Sequence, residues 1–195
     1  MPILIHSIIS SLITLIGSSS ISYNTVSSNT TSTSAAEVTV ALSTLQLLAD
    51  DDDNTEDLQK YVVFIRGILD YSERLSVSQT TILLNILCKL ASSSRQGESS
   101  SMSELFILVR KYLGMSDLTH RRMGVLGCCS IMQHYRGDKE SVRTIFHFCL
   151  KSTRSFPDVR LFFYQRLVHS LEHAFFTPEL IEVSFGVCLD VVHSG

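Results

Sequence analysis

Helical periodicity is the feature of this chain that most limits its fold. Apolar residues recur three and four positions apart over most of the sequence, as they do on one face of an α-helix. Over residues 56–71 the pattern predicts one continuous helix whose apolar stripe contains Leu58, Tyr61, Val62, Ile65, Ile68 and Leu69. The chain has only nine glycines and three prolines, which is few for an all-β fold that turns at every strand end. The sequence therefore predicts an all-α protein.

The predicted helices are joined by short connections. Ser76 or Ser78 and Asp117 are suited to cap helices, and Pro157 is suited to start one. Short connections favour antiparallel helix pairs, and no repeat of fixed period is visible, which disfavours a TPR or ankyrin array. We predict an irregular α-solenoid of antiparallel helix pairs, similar to HEAT and ARM repeats.

The first 36 residues differ from the rest in composition. Ile3 to Ile16 is apolar at helical spacing and predicts a leading core helix over residues 1–16. A signal sequence is the alternative, although no Lys or Arg precedes the run, which is also shorter than the ~18–20 residues that cross a bilayer. Residues 17–36 hold twelve Ser or Thr and predict a flexible insertion. Residues 37–195 are then the helical solenoid segment, with exposed loops at residues 50–55 and 92–103.

Charge is distributed unevenly around the net value of −3. Residues 1–60 hold seven acids and one lysine, whereas residues 105–166 hold eleven Lys or Arg and four acids, a net of +7. A cationic region between acidic ends suits a nucleic acid or an acidic partner. A solvated helical surface with scattered arginines is the alternative.

Signals of catalysis are weak. The sequence has no phosphate-binding glycine loop, no HExxH motif and no GxSxG motif. His169 and His173 share a helix face but supply at most half of a tetrahedral zinc site. The five cysteines form no CxxC pair and suit buried, reduced thiols. We predict that the protein is not an enzyme and uses no metal, cofactor or small-molecule substrate.

One stretch of sequence resembles a known family. The segment VVFIRGILDY (Val62–Tyr71) is followed by LFILVRKYLG, HRRMGVLGCCSIM and LFFYQRLVHSLEHAFFTPELIEVSFGVCLD. In this order and spacing they resemble the central region of the Fanconi anaemia group D2 protein family, and the helix over residues 36–49 resembles the family helix just upstream. Because that family's proteins are several times longer, we expect this chain to be a fragment or the product of a truncated gene model.

The resemblance implies a nuclear α-solenoid scaffold that acts in repair of DNA interstrand crosslinks. In the family it pairs with the group I paralogue, and the pair encloses double-stranded DNA. A ubiquitin ligase complex and a conjugating enzyme attach one ubiquitin to the lysine of a KGILDY motif. From the length and helical spacing of the apolar run Ile3 to Ile16, we expect no membrane association.

Arg66 stands at the position of that acceptor lysine. A guanidinium stays protonated and cannot attack a thioester, so Arg66 is not expected to accept ubiquitin. Lys60 is the candidate substitute, about 9 Å away along a continuous helix. Arg110, Lys111, Arg121 and Arg122 fall where the family also has basic residues, and we expect phosphate or partner contacts there. Gly67, Gly124 and Gly127 are predicted to be close-packing positions.

Two other interpretations remain from the sequence. A generic helical-repeat interaction module, without a role in DNA repair, would share the fold and the charge distribution. A secreted or membrane-tethered helical protein led by Ile3 to Ile16 would carry disulfides rather than free thiols.

Overall fold

The computed structural model describes residues 2–21, 31–93, 98–134 and 139–173, and every regular element within these ranges is a helix. The all-α prediction is thereby confirmed for the described residues, whereas the solenoid arrangement stays a prediction. The elements are α1 (Pro2–Ile21), α2 (Thr31–Asp50), α3 (Asp52–Gln59), α4 (Val62–Gly67), a 3₁₀ helix (Ile68–Arg74), α5 (Val77–Ser93), α6 (Glu98–Gly114), α7 (Leu118–His134), α8 (Lys139–Thr153) and α9 (Pro157–Glu172).

The continuous helix predicted over residues 56–71 is wrong. The chain turns at Lys60 and Tyr61, whose backbone N–H groups donate to Asp57 and Leu58 over three residues instead of four. The segment then continues as α4 and the 3₁₀ helix. Leu58, Ile65, Ile68 and Leu69 are nevertheless all buried, because the short elements keep the apolar stripe on one side.

Connections between helices are shorter than the sequence indicated. Asp51 alone separates α2 from α3, and its carboxylate caps α3 by accepting from the Asp53 N–H at 3.1 Å. α5 runs to Ser93 and α6 begins at Glu98, so the loop predicted over residues 92–103 is too wide. α1 likewise continues to Ile21 and α2 begins at Thr31, within the insertion predicted over residues 17–36. Residues 22–30 lie outside the described residues.

The chain divides into two compact units, Met1–Ser101 and Met102–Gly195, and the predicted organisation into residues 1–16, 17–36 and 37–195 stays a prediction. In the first unit α1 packs along α2, and α2 packs against α3 and α5. Ile9 and Ile16 of α1 are fully buried, as the predicted core helix requires, although Ile8 between the ends of that apolar run is 45% exposed. In the described part of the chain, no helix is long and apolar enough to cross a membrane.

Gln79 fixes the start of α5 and joins it to α2. Ser76 and Gln79 form a capping box, in which the Ser76 hydroxyl accepts from the Gln79 N–H at 3.2 Å and the Gln79 side chain accepts from the Ser76 N–H at 2.9 Å. The same side chain donates to the Ala35 carbonyl and the Thr39 hydroxyl, both at 2.9 Å. The predicted cap at Ser76 is confirmed.

α7 forms the centre of the second unit. Its residues 123–132 are all buried, which is typical of a helix surrounded by others. α7 contacts α8 and α9, and Phe146 of α8 packs against Phe163 of α9 with ring centroids 5.4 Å apart. The predicted starts of α7 and α9 are confirmed, since Asp117 accepts from the His120 N–H at 2.9 Å and Pro157 is the first residue of α9.

Two of the three predicted close-packing glycines are confirmed. A Cβ placed at Gly124 would lie 2.9 Å from the Leu113 backbone nitrogen, and one at Gly127 would lie 2.4 Å from Val109 Cγ2. These glycines therefore let α6 approach α7 closely. The prediction for Gly67 is wrong, because a Cβ there would meet no atom within 4 Å.

Candidate functional site

Arg66 lies in the last turn of α4, with its side chain exposed. Val63 and Phe64 of the same helix are 74% and 64% exposed. A cation in the last turn is favoured by the negative end of the helix dipole. Position 66, which the sequence resemblance predicts to correspond to the acceptor lysine, is therefore exposed on a helix.

Lys60 lies in the turn between α3 and α4, so the 9 Å estimate for a continuous helix does not apply to its separation from Arg66. Its amine is 2.6 Å from Oδ1 of Asp57. The hydrogen bond to Asp57 raises the pKa of Lys60, and the same bond lowers the pKa of Asp57. A raised pKa leaves less of the neutral amine, which is the form that attacks a thioester.

Asp57 also joins α3 to α1 through His6. Nε2 of His6 is 3.5 Å from Oδ1 of Asp57, and Nδ1 of His6 is 2.7 Å from the Tyr61 hydroxyl. The His6 and Tyr61 rings lie 5.6 Å apart. Lys60 and His6 thus share one carboxylate.

Three of the four basic residues predicted to contact phosphate or a partner stack on different aromatic rings. The Arg110 guanidinium lies 5.3 Å from the Phe148 ring of α8, whereas that of Arg122 lies 5.8 Å from the Phe162 ring of α9. Arg121 lies 3.6 Å from the Phe156 ring, which precedes α9. These three arginines, which are close together in the sequence, therefore pack against three different aromatic side chains.

Arg121 has a structural role. Its Nη1 donates to the carbonyl of Leu113 at 2.6 Å and to that of Ser152 at 3.1 Å. Both carbonyls belong to the last turns of their helices, α6 and α8, where no intrahelical donor is available. Because Arg121 satisfies both helix ends and stacks on Phe156, we leave it out of the candidate phosphate-binding set.

α8 contributes a row of basic residues that sequence reasoning did not assign. Arg143, His147 and Lys151 are exposed and lie four residues apart, so they share one helix face. Their spacing in the sequence was the available signal. Phe148 lies beside His147 and Lys151 on α8, and its ring contacts the guanidinium of Arg110 from α6.

We call Arg110, Lys111, Arg143, His147 and Lys151 the α6–α8 basic face. Among the residues of these two helices whose exposure the structure describes, the exposed acids are Glu104 and Glu140, so cations are in excess there. Arg110 is held over Phe148 and keeps its charge at the surface. This arrangement suits a ligand with repeated negative charges.

The described cysteines have poorly reactive thiols. Cys88, Cys128, Cys129 and Cys149 are free and buried, which confirms the predicted reduced thiols, and Cys188 lies outside the described residues. Burial raises the pKa of Cys88, Cys129 and Cys149, so their thiolate fractions are small.

His169 and His173 stack with ring centroids 4.2 Å apart. Nδ1 of His173 is 2.9 Å from the His169 carbonyl oxygen. Burial, followed by the charges of Arg166 and His173, lowers the pKa of His169. Among the residues that the structure describes, no group of three His, Cys, Asp or Glu side chains is placed to hold a metal.

Comparison with known proteins connects these features to one family. The family described as "Fanconi anaemia protein FancD2 nuclease" matches residues 23–153. The Fanconi anemia group D2 protein of Gallus gallus is 35% identical over 75 residues, which are 38% of this chain and 5% of the chicken protein. The homologue of Rattus norvegicus is 30% identical over 79 residues, 40% of this chain and 5% of the rat protein.

The match to these relatives covers about one twentieth of their length. The family model, in contrast, matches a continuous range that contains Arg66, the close-packed glycines of α7 and the whole α6–α8 basic face. Since that range exceeds half of the chain, the chain belongs to the FancD2 family of Fanconi anaemia proteins.

Proposed function

We propose that this chain is a non-enzymatic helical scaffold segment of a nuclear protein that repairs DNA interstrand crosslinks, and that it contacts double-stranded DNA through the α6–α8 basic face. The observation that carries the proposal is the Arg110–Phe148 stack at 5.3 Å, which brings Arg110 of α6 beside the basic row of α8. Membership of the FancD2 family supports the role in repair.

The proposed contact is with the phosphate backbone. The face offers long, exposed Arg and Lys side chains on two helices, and phosphate contacts need clustered cations without any fixed hydrogen-bond pattern. Binding should therefore show no sequence preference and should weaken steeply with salt.

The test is fluorescence anisotropy of the full chain with two duplex DNAs of unrelated sequence, over a range of NaCl concentrations. The double variant Arg110→Gln, Lys151→Gln should bind more weakly, and its slope of log K against log salt should be shallower by about 0.9 for each lost phosphate contact. Arg74→Gln, an exposed cation of the first unit, is the matched control and should retain the wild-type slope. An unchanged slope in the double variant, or a marked preference for one sequence, would contradict the proposal.

The word "nuclease" in the family's description calls for a direct test of the non-enzymatic part of the proposal. Purified chain is incubated with linear and crosslinked duplex DNA and Mg²⁺ or Mn²⁺, and the products are separated on a denaturing gel. We expect intact DNA. DNA cleavage activity that co-purifies with the chain through successive chromatography columns would show that the chain is an enzyme.

We further propose that the chain pairs with the group I paralogue and that Lys60 replaces Arg66 as ubiquitin acceptor. Such a transfer requires the Lys60–Asp57 bond to open, because the attacking amine must be neutral. With the ligase complex and the conjugating enzyme, the wild type should be modified at Lys60, Lys60→Arg should remain unmodified, and Arg66→Lys should gain a second acceptor. Modification of another lysine in the wild type would contradict this assignment.

Pairing with the paralogue is tested by co-precipitation. The full chain should recover the group I paralogue from a mixture of the two purified proteins. Failure to do so at micromolar concentrations would favour the alternative of a general helical interaction module.

A further inference from the structure

His169 and His173 lie one helical turn apart at the end of α9, and neither the proposed DNA contact nor ubiquitin transfer involves them. His169 belongs to the last turn of the helix, and His173 is its C-cap residue. Together with Glu172 they read H-x-x-E-H, one of the spacings at which two helical histidines bind zinc in metalloenzymes. Side chains at i and i+4 lie on the same face of a helix, which allows two imidazoles to reach one ion.

The structure brings the two imidazole rings together. Their centroids are 4.2 Å apart, and the ring planes are inclined by 19°. The backbone N–H of His173 donates to the carbonyl of His169 at 3.2 Å, so the helical geometry extends to the second histidine. Chelation then requires the rings to tilt until one nitrogen of each lies about 2 Å from the same ion.

His173 is held in a tautomer that suits a metal ligand. Its Nδ1 lies 2.9 Å from the His169 carbonyl oxygen, and because a carbonyl can only accept, Nδ1 carries a proton. In the neutral ring the lone pair is therefore on Nε2. Histidines that bind metals usually donate their other ring N–H to a carboxylate, a backbone carbonyl or water, which fixes the orientation of the ring and makes the ligand nitrogen more basic.

The surroundings supply two protein ligands. Within the ranges that the structure describes, no third His, Cys, Asp or Glu side chain completes a group that could hold a metal. The charges of Arg166 and Glu172 both act on His169, the first repelling a bound cation and the second attracting one. Water would complete the coordination, as it does at zinc sites with an open position, so the ion should exchange readily.

We propose that His169 and His173 bind one transition-metal ion of the kind that prefers imidazole, such as Zn²⁺, at the end of α9. This inference replaces the expectation, drawn from the sequence, that the chain uses no metal. Imidazole suits Zn²⁺, Ni²⁺ and Cu²⁺, whereas Mg²⁺ and Ca²⁺ prefer oxygen ligands. A bound ion would join two successive turns and hold the end of α9 in helical form. The site is independent of the proposed function.

The test is isothermal titration calorimetry of the full chain with ZnCl₂. His169→Gln and His173→Gln should each weaken binding at least about tenfold, because even groups that only orient a metal ligand are worth this much in affinity. His147→Gln is the matched control, since His147 is exposed on α8, and it should bind like the wild type. Absence of binding at millimolar Zn²⁺, or wild-type affinity in both His169→Gln and His173→Gln, would overturn the proposal.

Hydrogen–deuterium exchange locates the ion by a second measurement. Zn²⁺ should slow exchange in the last turn of α9 in the wild type but not in His173→Gln, with α5 of the first unit as the internal reference. MgCl₂ at the same concentration should have no effect. If Zn²⁺ left the exchange of this turn unchanged, the bound ion would lie elsewhere and the assignment to His169 and His173 would be refuted.

Discussion

Arg121 shows at the scale of a single residue that neighbours in a basic sequence cluster can have very different structural contacts. Adjacent arginines in a basic region suggest two ligand contacts, yet Arg121 binds two helix-end carbonyls while Arg122 is exposed. The difference depends on residues far away in the sequence, Ser152 and Phe156, which no local spacing reveals. Periodicity identified the helix but not the partners of its side chains.

Replacement of Arg121 should destabilise the fold. Arg121→Lys retains the charge but loses the planar guanidinium that reaches both carbonyls. We therefore expect the free energy of unfolding to decrease by about 1–3 kcal/mol. The midpoint of urea denaturation, followed by circular dichroism, measures the effect. Arg122→Lys is the control and should shift stability by no more than about 1 kcal/mol, because its ring contact at 5.8 Å is exposed. Equal losses in the two variants would argue against the helix-end role.

The Lys60–Asp57 pair gives a second prediction at the residue scale. Asp57 raises the pKa of Lys60, so removing the carboxylate should lower that pKa and enlarge the neutral fraction at any pH below it. Asp57→Asn should therefore make Lys60 react faster with an acylating reagent at pH 8. Peptide mass spectrometry after brief labelling measures the rate, with Lys111, exposed on α6, as internal reference. A slower or unchanged rate at Lys60 would contradict the prediction.

At the scale of elements, the glycines of α7 and α4 form a natural comparison. The backbone nitrogen of Leu113 cannot yield to a Cβ at 2.9 Å, so Gly124→Ala should separate α6 from α7 and cost about 1–3 kcal/mol. Gly67 lies in a helix with open space around it, so Gly67→Ala should stabilise the chain by about 0.5–1 kcal/mol. Thermal unfolding of the two variants shows whether each substitution lowers or raises the stability of the chain. A stabilising Gly124→Ala would show that α6 does not pack against α7 as described.

Helix existence was more predictable than helix boundaries, for a physical reason. A stripe of apolar residues reports which side of the chain is buried, and a turn that keeps this side inward leaves the stripe intact. The turn at Lys60 and Tyr61 therefore escaped detection, while capped starts such as Ser76 and Asp117 were found, since caps have their own chemistry. The sequence indicated only the α6 residues of the candidate basic face. The α8 residues were missed because the contact of Arg110 with Phe148, which joins α6 to α8, is a tertiary contact.

At the scale of the whole molecule, the buried thiols report on folding. Cys88 belongs to the first unit and Cys128, Cys129 and Cys149 belong to the second, and each is at most 6% exposed. Burial raises the pKa of Cys88, Cys129 and Cys149, so raising the pH to 8 should not make them reactive while the chain is folded. Their reaction with a thiol reagent requires opening of the structure around them.

We therefore expect these four thiols to react with Ellman's reagent only at the rate at which the protein opens. Addition of urea should accelerate all four, and peptide mapping of alkylated protein should show whether Cys88 reacts at the same urea concentration as the other three. Coincident reaction would mean that the two units unfold as one cooperative system, whereas earlier reaction of either set would identify the less stable unit. Rapid reaction of Cys149 in the native protein would contradict the buried core of the second unit, because a thiol enclosed between α7 and α8 has no path to the reagent without opening.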